Sequence, residues 1–363
     1  MTRAAVLARA AYVPMRTRSW DDYTRLFVVG DDFGWSIDDD AERLTATAVR
    51  LGYTVAPARW ARFARRQSVF QHDHFAALRP RWLESSHRLG LSYFHGRPGT
   101  PGYPEFDDAY AALRSDAHRI DRVQVTHAEM HELVLEAGVP ADRVFRIPIG
   151  VDLPRFPQRD EESRAAARLA FGLPATAFVV GSFQKDGVGL GDGLEPKLVK
   201  GPDVLVEVLA RLHSSVPELV VLLTGLARGY VRTELERREV PCRHTLLAGR
   251  DELAHAYHAV DAYVVASRQE GGPKAVLESM ATGVALVTTR VGQAPELVQD
   301  GVNGFLADVD DVDGLVAALQ HVYDDDDLRA RVRAAGRPTA EAYADERLDD
   351  RWAELLRGFV RAG

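Results

Sequence analysis

Short apolar runs alternate with amphipathic stretches along the whole chain, and this rhythm limits the possible folds more than any other feature. A short apolar run suits a strand buried on both faces, and a following stretch that is apolar on one side suits a helix covering it. Repeating the pair builds a parallel sheet with helices on both faces. In the first half the spacing predicts strands at Leu26–Val29, Ser68–His72, Leu91–His95 and Arg122–Thr126, with helices such as Ala41–Leu51 and Ala76–Leu89 between them. The second half predicts strands near Phe178–Gly181, Leu219–Thr224, His244–Leu247, Ala262–Ala266 and Ala285–Thr288, and helices near Pro202–Ser214 and Pro273–Thr282. Two α/β domains follow, each a doubly wound, Rossmann-like sheet, and a length of 363 residues accommodates both.

Between the halves, Pro148, Gly150 and Pro154 interrupt any regular element. The expected division is a first domain over 1–155, a second over 156–339 and a final segment over 340–363. In that segment Leu348, Trp352, Leu355, Leu356 and Phe359 form one apolar helical stripe, expected to pack back across the first domain. The acidic runs Asp38–Asp40 and Asp324–Asp327 precede predicted helices, where carboxylates complement the backbone dipole.

Composition excludes several classes. With 46% hydrophobic and 27% charged residues the chain is an ordinary globular protein. Its net charge is −8, divided as +1 through residue 155 and −9 beyond, so neither half has the basic excess of a nucleic-acid binder. Cys242 stands alone, so there is no internal disulfide and no cysteine cluster for zinc, and a reducing, cytoplasmic setting is expected. No run approaches the ~18 apolar residues of a membrane span. Arg9 interrupts any signal-peptide core, so the N-terminus is read as retained. Of the 45 basic residues, all are arginine except Lys185, Lys197, Lys200 and Lys274.

Parallel sheets bind ligands beyond the carboxyl ends of their strands. The loop after Ala262–Ala266 runs Arg268-Gln-Glu-Gly-Gly-Pro-Lys-Ala-Val-Leu-Glu278, with Glu270 in a glycine-bearing turn and Glu278 on the helix that Pro273 begins. Gly271 and Gly272 let a ligand approach the backbone, and N–H groups at a helix start attract an anion such as phosphate. Carboxylates flanking that anion site can accept hydrogen bonds from hydroxyl groups. The combination suits a phosphorylated sugar.

Here the sequence resembles the retaining glycosyltransferases of family 4, which have the two-domain GT-B fold. The resemblance covers most of the chain from about residue 26. It rests on the Glu270/Glu278 pair with Met280-Ala-Thr-Gly283 and Val291-Gly-Gln-Ala-Pro-Glu296, on Ile147-Pro-Ile-Gly-Val-Asp152, on Lys200-Gly201 and on Gly301-Val-Asn-Gly-Phe-Leu306. It implies two Rossmann-like domains facing each other across a cleft, with the C-terminal helix returning to the first. It places Glu270 on the donor sugar, Glu278 on the nucleotide ribose and Lys200 on the diphosphate. No divalent metal is implied. Family members carry an arginine just after the glycine that ends the second domain's first strand, where this chain has Ser182. Lys185 is the expected replacement and Lys197 a weaker one, while Ser182 and Arg250 complete the expected donor-binding set. The long loop between Phe183 and Lys200, with Asp192 and Glu195, is expected to be flexible and to reach toward the acceptor.

In the first domain the match places His95 beside the donor sugar. Asp31, Asp32, Phe33 and Gly34, with His72 and His74, are expected to line the acceptor side. His72-Asp73-His74 shares one strand face but lacks a third metal ligand in the sequence. Trp60 and Phe63 among Arg59, Arg62, Arg65 and Arg66 form a basic, aromatic patch: a solvated helix, a weak contact with a membrane surface at the inner face, or a site for an anionic acceptor. The expected activity is transfer of a sugar from a nucleotide-diphosphate sugar to a sugar or glycoconjugate hydroxyl, with closure about Gly150–Phe156 excluding water. The alternatives are an epimerase or phosphorylase of the same architecture, or a sugar-nucleotide binding protein without turnover.

Overall fold

A computed structural model describes residues 21–31, 36–249 and 251–361. They form two compact units: residues up to Pro148 together with the segment from Glu346, and Ile149–Asp345. Ile149 and Val151, placed before the junction by sequence, therefore fall in the second unit with Phe156. Val151 and Phe156 are apolar and are buried in its core. Val151 also exchanges backbone hydrogen bonds with Tyr343 and Asp345 (both 3.1 Å).

The first unit has a parallel sheet of β1 (Leu26–Val29), β2 (Val55–Ala56), β3 (Ser68–Gln71), β4 (Arg88–Ser92), β5 (Arg122–Val125) and β6 (Val144–Arg146), ordered β2-β1-β3-β4-β5-β6. The order reverses between β1 and β3, which puts a ligand crevice at their carboxyl ends. Two expectations are corrected. The strand predicted at Leu91–His95 runs three residues earlier, in register with β3 through Ser68 opposite Arg88. The helix predicted over Ala76–Leu89 is two single turns, His74–Ala77 and Pro80–Leu83. Pro80 has no N–H to continue the first turn and holds Arg79 extended at ψ 148°.

The final segment is likewise not one continuous helix. A helix over Asp326–Ala342 ends in the second unit, and a 3₁₀ turn at Asp345–Leu348 leads to a helix at Asp349–Leu356. The apolar stripe survives the breaks: Leu348, Trp352, Leu355, Leu356 and Phe359 are buried with Leu26, Leu44 and Phe70 of the first unit. Trp352 and Phe359 meet the Phe70 ring edge-on at 5.8 and 6.5 Å. Ser68 Oγ donates to the Phe359 carbonyl, and Arg50 pairs with Asp349 at 2.7 Å.

The second unit has a parallel sheet of β7 (Phe178–Ser182), β8 (Leu219–Thr224), β9 (Cys242–Thr245), β10 (Ala262–Val265), β11 (Ala285–Thr289) and β12 (Phe305–Ala307), ordered β12-β11-β10-β7-β8-β9. β9 starts two residues before its predicted position. The strands are buried on both faces: Ala262 and Val264 of β10 pack in one core with Val221 and Val287, and Tyr263 and Val265 in the other with Val179, Leu222 and Leu286. The switch point lies between β7 and β10. Many arginines close helix ends, with Arg333 and Arg337 donating to the Gly283 and Ala281 carbonyls and Arg168 to that of Ala259. The acidic runs act as expected, since Asp38 and Asp39 lie in the first turn of a helix over Ser36–Arg50 and Asp325 caps Asp326–Ala342 through Leu328 N (2.8 Å). No helix among the described residues is long and apolar enough to cross a membrane.

Candidate active site

The loop after β7 ends in a 3₁₀ turn, Leu198–Lys200, followed by Gly201 and the helix Pro202–Ser215. Gly201 is left-handed at φ 61°, and a Cβ there would run into the Ala266 carbonyl at the end of β10. The Lys200-Gly201 turn therefore closes directly onto β10. Arg268 and Gln269 N–H groups donate to the Val199 carbonyl (2.8 and 3.0 Å), and the Arg268 guanidinium grips Asp203 at 2.7 Å. This brings Lys200 Nζ to 2.6 Å from Glu270 Oε2 across 70 residues of sequence. Ser267 Oγ donates to the other oxygen, Glu270 Oε1, at 2.9 Å, and Gln184 Nε2 donates to the Lys200 carbonyl at 3.0 Å. The pair sits at the switch point where the sheet order places a ligand.

The turn after Glu270 leads into the helix Lys274–Thr282, whose N-cap, Pro273, supplies no capping side chain. A Cβ on Gly272 would lie 2.9 Å from the Gln293 side chain. Gln293 is buried because its amide binds both backbone groups of Ile149, accepting from N–H at 2.9 Å and donating to the carbonyl at 3.1 Å. Glu278, eight residues after Glu270, is only 8% exposed and accepts a 2.8 Å hydrogen bond from the Tyr257 hydroxyl. Burial, then the neighbouring Glu278 carboxylate, raises the Tyr257 phenol well above its ordinary range, so it stays a donor. Tyr257 and Gln293 had no assigned role in the sequence reading. Gln293 lies inside a motif quoted there, whereas nothing in the local pattern marks Tyr257 apart from core.

The departure at Ser182 is filled from an unexpected direction. Ser182 is wholly buried, so its hydroxyl is not presented to a ligand. Arg228, from the loop after β8, donates to the Ser182 carbonyl at 2.5 Å and to its hydroxyl at 3.2 Å. The same guanidinium reaches the Thr224 carbonyl at 3.2 Å and pairs with Asp186 at 3.0 Å, and neither charged side chain has any exposure. Lys185 is half-buried beside this pair in sequence, and desolvation lowers its ammonium pKa. The long loop is not free to reach outward. Gly187 bridges Pro196, Val188 N–H donates to the Glu195 carbonyl, and the Asp192 and Gly193 carbonyls accept from Gly229 and Tyr230. It is a hairpin pinned to the start of the helix Gly229–Arg237, and Lys197 is tied into it through its N–H to the Asp186 carbonyl. Arg250 lies outside the described residues.

In the first unit, His72, His74, His95 and His127 gather at the carboxyl ends of β3, β4 and β5. His72 and His74 are buried and do not line a surface, which corrects their expected contact with an acceptor. His72 Nδ1 donates to Ser92 Oγ (3.0 Å), which donates to Gln124 Oε1 (2.7 Å), whose amide donates to the Ile147 carbonyl (3.0 Å). With each proton used once, the network places the His72 proton on Nδ1. Asp73 caps the turn His74–Ala77 through Phe75 N–H. His74 lies between Phe75 and Tyr93, with ring centroids at 4.0 and 4.4 Å, and burial, then His95, holds its pKa well below the ordinary value. His95 is half-exposed, edge-on to His74 and to Phe106 at 5.7 Å each. The Asp31 N–H donates to Asp38 Oδ1 at 2.9 Å, which ties the β1 loop to the following helix. Asp32, Phe33 and Gly34 lie outside the described residues. Trp60 and Phe63 belong to a 3₁₀ helix, Ala58–Phe63, and are half-buried, while Arg59, Arg62, Arg65 and Arg66 are exposed, in keeping with a solvated helix. Arg59 and Arg62 lie over their rings at 5.5 and 4.8 Å.

Residues 194–339 match the family described as glycosyl transferases group 1. The chain is 31% identical over 257 residues to D-inositol 3-phosphate glycosyltransferase of Saccharomonospora viridis, covering 67% of this chain and 56% of that protein. Against the protein of the same name from Xylanimonas cellulosilytica it is 33% identical over 249 residues, 66% of this chain and 56% of the relative. It thus spans little more than half the length of these relatives. Among solved structures it resembles Anabaena HepE in complex with UDP and glucose, with TM-score 0.74 at 16% identity over 92% of this chain and 99% of that one. Sucrose-phosphate synthase of Thermosynechococcus elongatus gives TM-score 0.71 at 18% identity over 93% and 99%. With the Lys200-Gly201 turn, the Glu270/Glu278 pair and two six-stranded parallel sheets in place, residues 194–339 match the group 1 glycosyltransferases and the chain has the GT-B fold.

Proposed function

We propose that this chain transfers a sugar from a nucleotide-diphosphate sugar to an acceptor hydroxyl, with retention of anomeric configuration and without a divalent metal. The observation that carries the reading is the Lys200–Glu270 pair at the β7/β10 switch point, one turn from the start of the helix that bears Glu278. Breaking the bond to the diphosphate places negative charge on the leaving oxygens. Lys200 and Lys185 supply charges, and the amides that begin Lys274–Thr282 supply about half a positive charge, held in place before reaction. Glu270 exchanges its contact with Lys200 for a hydroxyl of the donor sugar as the lysine turns to phosphate, and Glu278 accepts from the ribose. His95 is proposed to hydrogen-bond a sugar hydroxyl. The anomeric carbon becomes oxocarbenium-like, and the acceptor attacks from the face the nucleotide leaves.

Structural neighbours crystallised with UDP or UDP-glucose support a nucleotide-sugar donor, and relatives named for D-inositol 3-phosphate make a polyol phosphate the first acceptor to try. The lone Cys242 supports a cytoplasmic setting. Proton NMR of the product, formed with and without a chelator, tests the proposal. The expected product keeps the donor's anomeric configuration and forms at an unchanged rate in the chelator. An inverted product, or activity lost to the chelator and restored by manganese, overturns it.

A further inference from the structure

Behind Glu278 lies a line of buried hydroxyls that the reaction itself does not use. The Phe183 N–H donates to the Tyr263 hydroxyl at 2.8 Å, the Tyr263 and Tyr257 rings pack with centroids 5.1 Å apart, and Tyr257 donates to Glu278 Oε2 at 2.8 Å. A phenol has one proton. That of Tyr257 goes to the carboxylate, and the Tyr263 oxygen receives the amide. Burial raises both phenols above their ordinary range, so neither ionises at working pH.

We propose that Tyr257 is a positioning residue that orients the Glu278 carboxylate for the ribose, and that Tyr263, packed against the Tyr257 ring and bonded to Phe183 N–H, ties it to the loop carrying Lys185 and Lys200. The proposal rests on the reading of Glu278 as the ribose acceptor. A carboxylate this buried turns freely about its last torsion unless a donor holds it, and Tyr257 occupies one of its roughly four acceptor positions while leaving others for hydroxyls. Tyr257→Phe removes the donor and keeps the ring in contact with Phe183 and Tyr263 at 5.0 and 5.1 Å.

Isothermal titration of the full chain with UDP, GDP and ADP, each beside its 2′-deoxy counterpart, reads the ribose preference directly. Wild type is expected to prefer the ribose form of its nucleotide by about tenfold or more, the scale of a hydrogen bond to a charged group. Tyr257→Phe should bring that ratio close to one with deoxynucleotide affinity unchanged, and Tyr263→Phe should lower it less. The second variant keeps the test decisive if the first fails to fold. A wild-type ratio in both tyrosine variants, with the ratio lost in Glu278→Gln, overturns the positioning role and leaves the ribose reading standing. A wild-type ratio in Glu278→Gln, or no binding of any of the three nucleotides, overturns both.

Discussion

Arg228→Met is the sharpest probe of how this chain manages without the family arginine at position 182. Arg228 and Asp186 are both wholly buried, 3.0 Å apart, and the guanidinium also serves the Ser182 and Thr224 carbonyls. Removing it strands a buried carboxylate, for which unpaired partners of such bridges typically cost about 3–5 kcal/mol. The carboxyl can escape by taking a proton, and burial already raises its pKa from 3.8. Forcing that proton on at pH 7 costs about 4 kcal/mol, which caps the penalty. In the variant the folded state binds a proton that the unfolded chain lacks, so the penalty is full near neutral pH. It shrinks by about 1.4 kcal/mol per unit as pH falls toward 3.8. Arg228→Met with Asp186→Asn removes the stranded charge and should recover about half the loss. Urea unfolding of wild type, both single variants and the double at pH 7 and pH 5 measures all of this. A loss under about 1 kcal/mol for Arg228→Met, or a double variant that costs the sum of the singles, would refute a coupled buried pair.

Lys185→Ala should raise the donor KM about tenfold with kcat less affected, in keeping with one charge-assisted contact to phosphate; an unchanged KM would remove Lys185 from the donor site. Leu355→Ala, at a fully buried position on the returning segment, should cost the first unit about 2–5 kcal/mol by urea unfolding, and a loss under about 1 would mean the segment contributes little. His74 is buried neutral, with its folded pKa well below 6.5. As pH falls below that value the unfolded chain binds a proton the folded state refuses, so stability drops by about 1.4 kcal/mol per unit for this group. His74→Phe, among Phe75 and Tyr93, should flatten unfolding midpoints between pH 6.5 and 5, and an undiminished slope would place the titration elsewhere.

Which faces are buried was legible before any coordinates. Ala262–Val265 and Leu219–Thr224 have too many consecutive apolar residues to be anything but strands covered on both sides, and the stripe through Trp352 and Leu355 had to be covered by something. Glycine turns and paired carboxylates pointed to Glu270 and Glu278, and the family resemblance to Lys200, which the structure brings to Glu270. The misplacements are local: β4 was read three residues late because Leu89 to Phe94 is apolar enough to slide, and Pro80 broke a helix that periodicity alone would continue.

Partnership was not legible. Arg228 stands at Ser182 across 46 residues, and Lys200 meets Glu270 across 70, only because the sheet order sets β7 between β8 and β10. The same order turns a glycine-rich loop, readable as flexible, into a hairpin pinned at Gly229 and Tyr230. It also sets the Tyr257 hydroxyl on Glu278 and packs the Tyr263 ring beside it. Periodicity reports whether a side chain faces water or core. Which distant group meets it there is a property of strand order and register, and those come from packing the whole sheet at once.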